Sequence, residues 1–140
     1  MTGLEVRDLN LAIRGKPILH GVSLSVAPGE IVAITGESGS GKSMTAFSIM
    51  RLLPEGAEVT EGGIALDGED LLALSEARMC RVRGGRIGMV FQEPMTALNP
   101  VFTVGRQLTE GLRLHMDMDK AEANARAIEL RHQRVRFLDR

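Results

Sequence analysis

One cysteine, Cys80, stands alone in 140 residues. A disulfide framework within the chain is excluded and a reducing compartment is the default. Cys80 itself reads as a small apolar side chain, buried or half-buried. An excess of one charge sign is also lacking: 17 Lys and Arg oppose 18 Asp and Glu, for a net charge of −1. That balance gives no electrostatic case for nucleic acid or an anionic membrane surface. No apolar run approaches the roughly 18 residues that a membrane-spanning helix needs. Met1 to Asn10 is polar and lacks the apolar stretch of a secretory signal, so a membrane role is expected only through a partner. Low-complexity segments are missing too.

What remains is the composition of one soluble globular domain, 44% hydrophobic and 25% charged, with enough residues for an ordinary core. Its most informative stretch is Gly36-Glu37-Ser38-Gly39-Ser40-Gly41-Lys42-Ser43, which fits the phosphate-binding loop pattern G-x-x-x-x-G-K-[ST]. Glycine at three of its first six positions lets successive backbone N–H groups converge on one concavity. Lys42 adds a charge for β- and γ-phosphates, and the Ser43 hydroxyl suits a Mg²⁺ ion. The flanks agree with the motif. Ile31 to Ile34 reads as a buried strand, and Met44 to Leu53 as a helix stopped by Pro54. A helix N-terminus placed there also favours an anion through its dipole.

Along the rest of the chain, Leu4 to Leu11 alternates with period two. Arg14 to Pro17 is a turn, and Ile18 to Val26 alternates again, predicting an antiparallel hairpin. Gly62 to Asp70 reads as a strand ending in an Asp67-Gly68 turn; the glycine argues for a hairpin and against Asp67 as a strand-end metal ligand. Leu71 to Arg83 reads as a helix ended by Gly84-Gly85. Ile87 to Phe91 reads as a second buried strand, followed by a proline-bounded loop over residues 92–100. Thr103 is expected to cap a helix to about His115, striped by Val104, Leu108, Gly111, Leu112 and His115. That stripe fits a docking groove and plain core equally well. Asp117 or Asp119 opens a last helix, with Ala121, Ala125 and Ile128 on one face. Beyond Leu130 the apolar pattern stops, and the arginine-rich end reads as a solvated, frayed helix.

The phosphate loop, the preceding hairpin and Phe91-Gln92-Glu93-Pro94 together resemble the nucleotide-binding subunit of an ABC transporter. The run Gly88 to Pro100, with its Gln-Glu-Pro-Met-Thr-x-Leu-Asn-Pro segment, resembles the importers of dipeptides, oligopeptides and nickel. The resemblance extends from about Leu4 to Leu130. It implies an α/β P-loop NTPase fold: an N-terminal antiparallel β subdomain with a partial RecA-like core over 1–91, a Q-loop and the start of the helical subdomain over 92–130, and an atypical tail over 131–140. It implies ATP and Mg²⁺ as ligands. Gly36, Glu37, Ser38, Gly39, Ser40, Gly41 and Lys42 would hold the phosphates, and Ser43 and Gln92 the metal. Gln92 would also reach the attacking water, where an amide can ligate metal and donate. Residues 93–115 would line the groove for a permease helix. The usual adenine-stacking aromatic is replaced by Ile13, which covers a base without a π-face, so weaker adenine selectivity is expected. Such stacking is worth roughly 1–3 kcal/mol.

The implied partners are transmembrane permeases, a second ATP-binding subunit and, indirectly, a solute-binding protein, at the cytoplasmic face of the inner membrane. Nucleic acid is not among them. A P-loop kinase or a DNA-repair ATPase is disfavoured by Gln92-Glu93-Pro94. The family's Leu-Ser-Gly-Gly-Gln signature, its strand ending in Asp-Glu and its switch histidine do not occur in these residues. Val135 to Asp139 is interrupted by Arg136, Arg140 stands in the place of the catalytic glutamate, and His132 follows no such strand. The expectation is therefore an incomplete, truncated or frameshifted cassette with no catalytic residue, marginally stable alone. It binds nucleotide but does not hydrolyse it unaided. The alternative from another class is a non-hydrolysing regulatory module paired with an intact cassette.

Overall fold

The computed structural model describes residues 3–91 and 98–138, with side chains through residue 130. They fall into two compact units, Met1–Glu76 and Ala77–Arg140.

The first unit is built on a four-stranded antiparallel sheet. Strands β1 (Leu4–Ile13), β2 (Lys16–Val26), β3 (Ala57–Leu66) and β4 (Glu69–Asp70) lie in the order β2-β1-β3-β4. The expected hairpin is present and longer than the alternation suggested. Leu4 faces Val26, Val6 faces Leu24 and Ile13 faces Lys16. Its connection is the two residues Arg14 and Gly15, both at positive φ (48° and 75°), the geometry that matches strand twist. Pro17 lies inside β2, an edge strand, where a missing N–H is tolerated. Asp67 and Gly68 (φ 51° and 84°) make the tight β3–β4 turn that the sequence implied.

The register of β1 breaks between Arg7 and Asn10 against β3, and between Val6 and Leu9 against β2. Asp8 takes φ 44° there. Side chains replace the lost ladder bonds: Asp8 N donates to Ser23 Oγ (2.9 Å) and Gly21 N to Asn10 Oδ1 (2.9 Å). This is how a bulge keeps its backbone groups satisfied. Gly62 of β3 lies against it at φ 94°, where a β-carbon would collide with the carbonyl oxygens of Asp8 and Arg7. Val6, Leu9, Leu11, Ala12, Leu19, Met50, Ile64, Leu71 and Leu74 are the buried apolar side chains among the described residues of this unit.

Helix α1 (Lys42–Met50) is shorter than expected. It stops at Arg51, in the left-handed region at φ 49°, and not at Pro54. Arg51 N–H bonds to Ser48 O (3.0 Å) and Leu52 N–H to Phe47 O (2.9 Å), closing the last turn. From this position Arg51 Nη1 donates to the carbonyls of Leu71 (3.2 Å) and Leu74 (2.6 Å). That tertiary tie explains why Leu71 does not begin a helix. Residues 71–75 are irregular, with Leu72 N–H bonded to Asp70 Oδ1, and helix α2 starts only at Glu76.

Two expected strands do not form. Residues 30–37 have no regular structure, with Ile31 96% exposed. In Ile87 to Phe91 only Ile87 makes a bridge, to Arg83, and Val90 is 95% exposed. A strand exists only as one side of a ladder, and the described residues offer neither segment a second side.

The second unit is helical. Helix α2 (Glu76–Gly85) buries Met79 and Val82 and breaks at Arg83 (ψ 123°) and Gly84 (φ 80°), as the glycine pair implied. Cys80 is exposed on it, against expectation, because it lies between the buried positions. Helix α3 (Val104–Met116) is capped by Thr103, whose hydroxyl accepts from Arg106 N (3.3 Å). None of its residues is buried, so its apolar stripe is not plain core. Asp119 opens α4 (Lys120–Leu138): its carboxylate accepts from Ala121 N (2.7 Å) and Glu122 N (2.9 Å), and Glu122 accepts from Asp119 N (3.0 Å). That is a reciprocal capping box, while Asp117 ends α3. Among the described side chains, the buried face of α4 is Ala123 and Ala127, not Ala121, Ala125 and Ile128, the last being 59% exposed. Alanines mark several faces of this helix at once, so spacing alone could not choose among them.

Replacing Gly62 with alanine should lower stability by about 1–3 kcal/mol, since the new side chain meets backbone in a disfavoured conformation. Urea denaturation followed by circular dichroism measures this; an unchanged midpoint would mean that β3 shifts freely away from the bulge.

Candidate functional site

The chain reaches the glycine loop from a turn closed by Glu30, whose N–H bonds to Ala27 O (3.0 Å) while its carboxylate accepts from Ala27 N (2.7 Å). Within the loop Gly36, Gly39 and Gly41 all take positive φ (152°, 81° and 91°). Ser40 N–H bonds to Glu37 O (3.2 Å), bending the segment back on itself. Helix α1 then begins at Lys42, two residues before the expected Met44.

Gly41 is the N-cap of α1, and no side chain caps the helix. The first N–H groups of an α-helix have no partner inside it, so here they are left for an external acceptor. The first turn carries no acidic residue, so nothing there opposes the partial positive charge of the helix end. Two hydroxyls fix this end. Thr45 Oγ1 donates to Gly41 O (3.0 Å) and Ser48 Oγ to Met44 O (2.7 Å), which lets both polar residues be buried. Leu19 of β2 packs on Gly41 so closely that a β-carbon there would stand 2.5 Å from Leu19 Cδ2. The β1–β2 hairpin thus touches the loop through Leu19.

Lys42 Nζ lies across the loop, donating to Gly36 O (2.9 Å), Glu37 O (2.7 Å) and Ser40 Oγ (3.2 Å). Ser43 follows it, exposed, in the first turn. The structure therefore brings Gly36, Glu37, Ser38, Gly39, Ser40, Gly41, Lys42 and Ser43 into one loop at a helix N-terminus. Ile13 is half-buried at the end of β1, between Lys16 and Ala57. Gln92 lies outside the described residues, as do the rest of residues 92–97. Among the described residues no group of three or more His, Cys, Asp or Glu could hold a metal ion. The roles of Thr45 and Leu19 were missed in the sequence. A hydroxyl four residues after a helix N-cap was a readable signal for the first; the second is a tertiary contact with none.

A family model described as ABC transporter matches residues 19–139. The chain belongs to the ABC transporter family. It is similar to the oligopeptide transport ATP-binding protein AppD of Bacillus subtilis, 46% identical over 92% of this chain and 41% of that protein. It is also similar to the probable D,D-dipeptide transport ATP-binding protein DdpD of Escherichia coli, 47% identical over 91% of this chain and 40% of that protein. Among solved structures, the ATP-binding cassette MJ0796, a dimer in a post-hydrolysis state bound to ADP and Pi, is similar with a TM-score of 0.74. That likeness has 28% identity and covers 90% of this chain and 54% of MJ0796. This ABC chain thus spans about two-fifths of the length of these two curated relatives. The P-loop NTPase fold that the sequence implied is that of its structural neighbour. Among the described residues no helix is long and apolar enough to cross a membrane.

Gly41→Ala should cost about 1–2 kcal/mol, the usual penalty of a left-handed residue with a β-carbon, with any contact against Leu19 added to it. Thermal unfolding checks this, and an undiminished melting temperature would show the loop to be slack.

Proposed function

We propose that this chain binds Mg-ATP through Gly36 to Ser43. The observation that carries the proposal is an uncapped helix N-terminus preceded by three positive-φ glycines, with Lys42 and an exposed Ser43 at its start. Phosphate oxygens would complete the first-turn N–H groups of α1 and take hydrogen bonds from the Lys42 ammonium. The buried Thr45 hydroxyl holds the helix end in position for them. Mg²⁺ supplies charge neutralisation to the phosphates and would sit at Ser43, with Gln92 as a second ligand.

We assign residues 1–91 to the β subdomain and phosphate-loop core, 92–130 to the Q-loop and the start of the helical subdomain, and 131–140 to a tail. The peptide-transport names of the relatives support an importer ATPase as the whole protein. In that assembly the permeases, a second ATP-binding subunit and a solute-binding protein are the partners, and the location is peripheral, at the cytoplasmic face of the inner membrane. The exposed stripe of α3, including Val104 and Leu108, supports a permease-facing role for residues 93–115. Ile13 covers the base without stacking on it.

Calorimetric titration of Mg-ATP into the chain tests the central claim. Lys42→Ala should weaken binding roughly 10- to 100-fold, the worth of a charge-assisted hydrogen bond in that setting. Equal binding by the two proteins would refute it. Ser43→Ala should weaken binding in the presence of Mg²⁺ and leave binding in EDTA unchanged; a Mg-independent loss would remove Ser43 from the metal site.

A further inference from the structure

Lys42 makes more bonds within its own loop than the motif requires. An ammonium group has three donors and no acceptor, and all three have partners here: Gly36 O, Glu37 O and Ser40 Oγ. Two of these partners are backbone carbonyls and come with the loop's path. The third is a side chain. Ser40 Oγ is folded inward over the start of the loop, so that a β-carbon at Gly36 would stand 2.7 Å from it. The hydroxyl thus packs against the first glycine of the loop.

We infer that the Ser40 hydroxyl is a built-in competitor for phosphate at Lys42, so that this loop binds anions more weakly than its backbone would allow. The inference rests on the phosphate-loop reading given above and adds a device that tunes it. A phosphate oxygen that reaches Nζ must displace one of three existing acceptors. At 3.2 Å the Ser40 bond is the longest of the three and the first to yield. Its loss is part of the cost of binding, because the hydroxyl and the anion cannot both hold the same donor. The opposite arrangement is chemically open, since Ser40 keeps its own proton and that proton can be donated to a phosphate oxygen. The two arrangements predict changes of opposite sign.

The test is calorimetric titration of tripolyphosphate, and separately of Mg-ATP, into the full chain and its variants, with circular dichroism melts to show that each variant is folded. Ser40→Ala should tighten tripolyphosphate binding roughly fivefold, the scale of one net hydrogen bond. Ser40→Thr, which keeps a hydroxyl, should tighten binding less than Ser40→Ala does. On a Lys42→Ala background, Ser40→Ala should produce no tightening. Unchanged or weaker binding by Ser40→Ala overturns the inference, as does a Ser40→Thr protein that binds as tightly as Ser40→Ala. If the original chain binds tripolyphosphate in a Lys42-dependent way while Ser40→Ala gains nothing, the competitor alone is refuted. If Lys42→Ala binds as well as the original chain, the phosphate-loop reading falls with it.

Discussion

An uncapped helix end is the constraint on which the first unit turns. Leaving the first N–H groups of α1 without a side-chain acceptor is unfavourable unless something else secures the helix. Here the security comes from the other groups of the same turns. The hydroxyls of Thr45 and Ser48 bind carbonyls one turn back, Leu19 seals the N-cap glycine, and Arg51 ties the far end to the backbone of Leu71 and Leu74. The helix is therefore positioned by its flank and its C-terminus, and its N-terminus carries no side-chain cap. This division of labour is the physical content of the eight-residue motif, most of which lies outside the motif itself.

Elements whose cause is local were readable from residues alone. The hairpin follows from alternation plus Arg14-Gly15, the β3–β4 turn from Asp67-Gly68, and one helix start from Thr103; for the last helix the sequence offered Asp117 or Asp119, and Asp119 does the capping. Elements whose cause is non-local were not readable. Ile31 to Ile34 and Ile87 to Phe91 have strand composition, but composition cannot say whether a ladder partner is at hand. Helix α1 was given three residues too many because Pro54 looked like the stop, while the actual stop is set by what the Arg51 side chain reaches. The buried face of α4 was misjudged for a different reason: alanine is both a helix former and a packing residue, so it leaves no clear stripe.

The phosphate loop itself was legible as a pattern of residue types. Its internal bonding was not. That Lys42 would spend all three donors on its own loop depends on backbone torsions at Gly36, Gly39 and Gly41 that a motif does not encode. Thr45 stands between these cases, since its spacing from Gly41 was visible but its burial was not. The family relationship, by contrast, came from combining two motifs well separated in the chain, Gly36 to Ser43 and the segment from Gly88 to Pro100.

The exposure of Cys80 on α2 has a practical side. With no tryptophan and no tyrosine, the chain is almost invisible to ultraviolet absorbance and intrinsic fluorescence, the ordinary optical handles on a protein. The sole thiol of the sequence is exposed three residues before the break at Arg83 and Gly84. One maleimide dye or nitroxide attached there would label the molecule at a single defined point. It would report on a helix whose regular path is interrupted, without a second cysteine to confuse the signal.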